Sequence, residues 1–268
     1  MAECLVCGRP LPDPGRGRPP RYCSRACRAR AYRERVARKQ RHDFALPETV
    51  STTLSVERIV RAAIALADRE GDVGLSMRRT AAELGVGTMS LYRYLPDKEE
   101  LGGLMIDTVF GDRPLPEPGP GGWRAKLELS AHREWDIYLQ HPWIPRIFAL
   151  TTRPPLAPRM MAYTDWRIRA VDGLGLDFPT MVRTAIAISA HVQSAALPLS
   201  RERHSKDTRG EWLDARSARI RETFGPHGLS MIARFDTDAI AASEPASIFE
   251  FGLQRLLDGI AQLLPPGT

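Results

Sequence analysis

Apolar side chains recur at helical spacing through most of the chain. Ile59, Ala62, Ala63, Leu66 and Ala67 fall on one face of a helix. Ser55 stands where it can cap that helix, Leu54 and Ile59 where they can staple its entry, and Gly71 where it can end it. Ser76 then opens a short helix through Leu84, Gly85 supplies a tight turn, and a second short helix is predicted from about Gly87 to Tyr94. Ala81 and Ala82 are small enough to let the two cross closely, and Leu84, Val86 and Leu91 offer apolar contact between them. Asp97 and Glu100 suit the capped start of a further helix with Leu101 on its inner face. Pro and Gly interrupt the pattern at 111–122. Beyond them the spacing predicts helices near 123–140, 156–174, 179–197 and 246–264, shorter pieces at 143–150, 211–224 and 227–234, and a polar loop at 198–210. No strand alternation stands out, so the fold is expected to be all-α.

The crossed pair at 76–94 is the layout of a helix-turn-helix, whose second helix enters the major groove of DNA. The residues that carry it are Leu75, Ser76, Arg78, Ala81, Leu84, Gly85, Val86, Ser90, Leu91, Tyr92, Tyr94, Asp97, Lys98 and Leu101. With the helix at 55–70 before it, this string resembles the DNA-binding domain of the TetR family of bacterial transcriptional regulators. The resemblance implies a homodimer on double-stranded operator DNA, and it implies roles. Thr88, Met89 and Ser90, at the start of the recognition helix, reach base edges. Arg78 meets a base or a phosphate. Tyr92, Arg93 and Tyr94 lie against the phosphate backbone. Lys98, on the first turn of the next helix, meets phosphate where the helix dipole also favours an anion. Thr88 and Met89 differ from the type member's residues at those positions, so no operator sequence transfers.

The stretch FEFGLQRLLDGI and the segment from Trp123 to Pro155 resemble the tetracycline-repressor branch of that family. Residues 179–197 are rich in Ala and Ser, and 246–264 carry Phe249, Leu253, Leu256, Leu257, Ile260, Leu263 and Leu264 over more than one face. In the family two late helices pair with their twins in a four-helix bundle; a purely internal core is the other reading of this pattern. The resemblance also implies a cavity for an apolar or aromatic small-molecule effector, walled by Trp135, Phe148, Met160, Tyr163, Trp166, His191 and Gln193. Aromatic residues at helical spacing equally describe plain core, and His191 reads as a hydrogen-bonded core histidine. Phe148 and Leu199 align with the metal-holding positions of the tetracycline repressor, and neither can coordinate a hard cation. A magnesium–tetracycline inducer is therefore not expected.

Charge and cysteine content add a separate N-terminal piece. Residues 1–54 hold 12 Lys and Arg against 5 Asp and Glu, and the rest holds 26 against 27. The basicity therefore belongs to the N-terminus and points to an anionic partner there, nucleic acid first. All four cysteines, Cys4, Cys7, Cys23 and Cys27, lie there as a C-x2-C and a C-x3-C pair. In a reducing compartment such a set suggests one structural Zn²⁺ per chain, with Gly8 permitting the turn after the first pair. Free or redox-active thiols are the alternative. The Pro- and Gly-rich segment between the pairs cannot build a core of its own, which a metal would remedy. The arginine-crowded run that follows offers Arg28, Arg30, Arg33 and Arg35 as auxiliary phosphate contacts, or as a solvated face.

The expected organisation is a Cys4 zinc module with a basic helix (1–42), a linker (43–54), a three-helix DNA-binding domain with the helix-turn-helix (55–110), a second linker (111–122) and a helical ligand-binding and dimerisation domain (123–268). No apolar run is long enough to span a membrane, and the N-terminus lacks the apolar centre of a secretion signal. A cytoplasmic protein without a membrane partner is expected. No nucleophile–base pair, open metal site or phosphate-cradling loop is found, so no enzymatic activity is expected. The function read from these features is a regulator, as a repressor, that binds a palindromic operator and is released by a small molecule. The alternative is a ligand-independent nucleic-acid-binding protein that uses the basic zinc module.

Overall fold

The computed structural model describes residues 4, 6–11, 22–24, 26–27, 31, 54–71, 76–150, 156–199, 209–216, 219, 222–223, 229 and 231–265. Met1–Thr53 and Leu54–Thr268 form two compact units. The described residues of the larger unit are helices and turns.

The larger unit opens with α1 (Val56–Glu70), α2 (Met77–Glu83), α3 (Thr88–Leu91) and α4 (Lys98–Gly111). Three short polar side chains start three of these helices by accepting a backbone N–H that lacks an intrahelical partner. Ser55 Oγ accepts from Arg58, Ser76 Oγ from Arg79 (both 3.2 Å), and Asp97 Oδ1 from Glu100 (2.9 Å). Gly71, at φ +73°, stops α1. The apolar stripe of α1 is Ile59, Val60, Ala63, Ile64, Leu66 and Ala67, all buried. It packs on α4, whose Leu101, Met105, Ile106, Val109 and Phe110 are buried in turn. The recognition helix is shorter than its expected span: α3 ends at Leu91, and a turn carries the chain on to Tyr94.

The remaining helices are α5 (Trp123–Gln140), α6 (Ile144–Leu150), α7 (Pro158–Ala170), α8 (Phe178–Ala196), α9 (Arg209–Asp214), α10 (Thr237–Ala242) and α11 (Pro245–Ala261). A single 3₁₀ turn, Ile232–Arg234, is all that the described residues hold of the helix expected at 227–234. The expected piece at 211–224 is described as helix in α9, which starts two residues earlier, and at residues 219 and 222–223; the rest of it beyond the turn at 215–216 lies outside the described residues. Most of the loop expected at 198–210 also lies outside them. The short α10, capped by Asp236, was not foreseen. Helix α8 packs against α11, α5 and α7, which makes it the central element of this half.

Its core contains a charge. Arg167 is fully buried, and its guanidinium donates to Glu134 Oε2 (2.6 Å), Ser130 Oγ (2.8 Å), Ser130 O (3.0 Å) and Ser189 Oγ (2.6 Å). Tyr138 donates to the other carboxylate oxygen of Glu134 at 2.5 Å. Burial, and then the Glu134 charge, push the Tyr138 phenol well above its ordinary value, which keeps it a neutral donor. The network ties α5, α7 and α8 together. A buried ion pair is tolerable only when its remaining donors and acceptors are satisfied, as they are here.

Candidate nucleic-acid interface

The geometry of α2 and α3 follows from three small or apolar residues. Ala81, almost wholly buried, allows the two helices to cross. Gly85, at φ +68°, turns the chain through a left-handed conformation that favours glycine. Leu91, without exposed surface, fixes α3 to the core. Val86 N–H closes the turn by donating to Ala81 O at 2.9 Å.

With Leu91 held inward, the rest of the segment turns to solvent. Met89 is 76% exposed, Tyr92 44% and Tyr94 39%. Arg78, Arg93 and Lys98 are exposed, and Thr88 and Ser90 are half-buried beside them. Among the described residues, Arg78, Arg93 and Lys98 have no ion-pair partner. The neighbouring arginines do: Arg79 pairs with Glu70, and Arg69 reaches Glu83 at 3.0 Å and Glu70 at 3.2 Å. The segment's cations thus divide into those that fasten α1 to α2 and those left for an outside anion. All eight residues expected to meet DNA, Arg78, Thr88, Met89, Ser90, Tyr92, Arg93, Tyr94 and Lys98, belong to this compact group. The auxiliary set, Arg28, Arg30, Arg33 and Arg35, lies outside the described residues, as do Leu75 of the motif and the linker at 43–53.

The head is joined to the body at several points. On α1, Asp68 Oδ1 accepts from Trp143 Nε1 (2.7 Å) and lies 2.7 Å from His141 Nδ1. Arg61 forms a two-point ion pair with Asp112 at the end of α4, and the guanidinium holds that carboxyl below its usual range. Phe110 meets the rings of Tyr163 and Tyr138 edge-on at 5.0 and 6.4 Å.

Beside Phe110 lies a cavity of about 300 Å³, walled by Leu115, Arg159, Tyr163, Trp166 and Arg169 among others. One wall is the 111–122 segment, whose Pro and Gly content predicts only a linker. Trp166 Nε1 donates to Pro116 O at 3.1 Å, Tyr163 donates to Arg113 O, and Arg169 binds Glu117 at 2.6 Å. That last bond holds the Glu117 carboxyl below its usual range. Burial, helped by the Glu134 charge, pushes the Tyr163 phenol up to about 12.

Of the seven expected effector residues, only Tyr163 and Trp166 line this cavity. Trp135 stacks on Phe249 with ring centres 4.5 Å apart, and His191 Nε2 meets Phe249 O at 2.9 Å. His191 lies where Gly252 lets α11 approach α8: a methyl at Gly252 would sit 2.6 Å from Nε2. Gln193 lies near the Tyr138 hydroxyl. Phe148 and Met160 are half-buried against the core. Phe110, Leu115, Arg159 and Arg169 also wall this cavity and are not among the residues expected from the sequence. The legible hint for Phe110 was its place at the end of an apolar helix that leads out of the motif.

In the smaller unit the four cysteine Sγ atoms lie within 4.8 Å of one another. Cys7 to Cys23 is 3.4 Å, Cys23 to Cys27 3.6 Å and Cys27 to Cys7 3.7 Å. Gly8, at φ +69°, returns the chain so that its N–H meets Cys4 O at 3.0 Å and Cys4 N–H meets Arg9 O at 2.8 Å.

Comparison with known proteins agrees with this layout. Residues 115–264 match the family defined as the tetracyclin repressor-like C-terminal domain. Over 219 residues, 79% of each chain, the sequence is 38% identical to the HTH-type transcriptional repressor DrrR1 of Streptomyces coeruleorubidus. The structure of the TetR family protein ActR of Streptomyces coelicolor in complex with actinorhodin superposes with a TM-score of 0.66 at 26% identity, covering 79% of this chain and 98% of that one. ActR in complex with (S)-DNPA gives 0.64 at 27%, covering 80% and 100%.

Proposed function

The chain belongs to the TetR family of transcriptional regulators, and from that premise we propose that it is a cytoplasmic repressor that binds a palindromic operator as a homodimer and leaves it when a small molecule binds. One observation carries the DNA half of this reading. The segment Thr88–Tyr94 is anchored by Leu91 alone among its large apolar side chains, while Met89, Tyr92 and Tyr94 face solvent. Exposed Arg78, Arg93 and Lys98 flank it without acidic partners among the described residues. Thr88, Met89 and Ser90 read base edges, and Tyr92, Arg93, Tyr94 and Lys98 hold phosphates.

Self-association rests on α8 and α11. These adjacent helices leave Phe178, Ile186, Ile248 and Phe251 exposed at 65, 52, 46 and 65%. That much apolar surface on a helix pair suits a twin. The effector is apolar or aromatic and enters the cavity beside Phe110, an assignment supported by the cavity's walls and by the ligand complexes of ActR. Because Phe110 lies in the last turn of the helix that begins at Lys98, an occupant there bears on the same element that follows the recognition segment. The N-terminal arginine run adds phosphate contacts that carry no sequence information.

Selection of bound sites from random duplex DNA tests the reading. The expected product is a two-fold symmetric sequence with half-sites about one helical turn, roughly 10 base pairs, apart or a multiple of it. Binding without sequence preference, with a steep salt dependence that vanishes when residues 1–45 are removed, would replace it with the ligand-independent alternative. No helix among the described residues is long and apolar enough to cross a membrane.

A further inference from the structure

We propose that Cys4, Cys7, Cys23 and Cys27 together hold one zinc ion, on which the fold of the N-terminal unit depends. A tetrahedral Zn²⁺ with sulfur ligands at about 2.3 Å sets its sulfurs about 3.8 Å apart. The three measured separations among Cys7, Cys23 and Cys27 are 3.4, 3.6 and 3.7 Å, and all four sulfurs lie within 4.8 Å of one another. A disulfide would need a pair at about 2.05 Å, and all four cysteines are free. Sulfur atoms brought together from two ends of a segment, with three near-equal spacings, enclose a point and do not pair off.

The local chain is built for this convergence. The turn closed by Gly8 presents Cys4 and Cys7 on one side. Cys23 and Cys27, one helical turn apart, come from the other, where Cys27 N–H donates to Ser24 Oγ at 3.2 Å. Cys4 and Leu11 are the buried apolar residues among those described in this unit, and the Pro- and Gly-rich sequence between the cysteine pairs offers little more for a core. Metal coordination supplies what the core does not. Four thiols that enter coordination release four protons, and the filled site carries a formal charge of −2. All four positions are taken by protein, so the ion is structural and leaves no place for a substrate.

The test uses the full-length chain purified under reducing conditions without added metal. Elemental analysis is expected to find about one zinc per chain, released when a mercurial titrates the thiols. Cobalt substitution is expected to give the intense ligand-field bands of a tetrahedral thiolate site. Cys7→Ser and Cys23→Ser should each lower zinc content at least tenfold, while thermal unfolding of the helical body is retained. Zinc below about a tenth per chain with four freely reactive thiols would overturn the proposal. So would iron with visible absorption, or two disulfides in the isolated protein. Metal content is read independently of operator binding, so failure here leaves the DNA-binding reading standing, and the reverse also holds.

Discussion

Removal of Arg167 is expected to be among the most damaging single changes to the helical body. Its guanidinium has no exposed surface and makes four hydrogen bonds, two to Ser130, one to Ser189 and one to Glu134. Arg167→Met keeps much of the aliphatic volume and deletes every one of them. Ser130 can still donate to Leu127 O, and Ser189 to Glu134, so the hydroxyls lose little. The loss concentrates on Glu134, a carboxylate with 2% of its side chain exposed and no remaining cation. Breaking one side of such a pair costs about 3–5 kcal/mol, against about 5–15 kcal/mol for a whole domain. Urea unfolding followed by circular dichroism, at one fixed protein concentration because a dimer's stability depends on it, gives the number. The double variant Arg167→Met/Glu134→Leu removes the stranded charge, though Tyr138 then lacks its acceptor. It is expected to be more stable than Arg167→Met alone by about 2 kcal/mol. A loss below about 1 kcal/mol in the single variant, or effects that simply add in the double, would refute the claim that the pair acts as a unit.

Four further outcomes can be checked. Lys98→Ala and Arg93→Ala should weaken binding to any duplex and flatten the log–log salt dependence by about 0.9 for each phosphate no longer neutralised, measured by fluorescence anisotropy; an unchanged slope would remove that residue from the set that touches the DNA backbone. Phe251→Glu should convert the protein to monomer in sedimentation velocity, and a persisting dimer would move the interface elsewhere. His132, half-exposed, has Nε2 2.7 Å from Glu250 and donates from Nδ1 to Glu128 O at 2.8 Å; burial lowers its pKa, but these two acceptors outweigh that and raise it. A raised value means that the α5–α11 contact contributes fully below the unfolded histidine's pKa near 6.5 and fades as pH rises through the folded one. The stability gap between wild type and His132→Gln should therefore shrink from pH 6 to pH 8, from at most about 1 kcal/mol given solvent screening. Thr80 Oγ1 is buried without a hydrogen-bond partner among the described residues; Thr80→Val should leave stability unchanged or raise it by about 1 kcal/mol, and a loss above that would reveal a hidden partner.

What could be read from the chain divides by the range of the interaction. Ser55, Ser76 and Asp97 were identifiable as caps because capping joins residues three apart. The turn at Gly85 and the inward Leu91 follow from equally local chemistry. The Arg167–Glu134 pair was not seen, because a lone charged residue is by default assigned to water. The clue was its register. Leu127, Ala131, Glu134 and Tyr138 fall on one stripe of α5, and Tyr163, Trp166, Arg167 and Ala170 on one stripe of α7. The residues expected to wall an effector cavity lie apart for a related reason: helical spacing says which side chains face inward but not which inward faces leave a gap between them. Trp135 and His191 found Phe249 instead of an opening. The α10 helix is too short to show a period, and only Asp236 announced it.

Because the Pro- and Gly-rich bridge between α4 and α5 forms a wall of the chamber beside Phe110, its composition does more than set a distance. Gly119 lies against Trp166 so closely that a methyl there would come within 2.7 Å of the indole. Bulk added at Gly119 therefore presses on the indole that walls the chamber. Exchanging this short stretch reshapes the hollow without substituting Arg167 or its partners. Under the proposed effector assignment, tolerance of ligand shape can in this way drift without any substitution on the surface that meets the double helix.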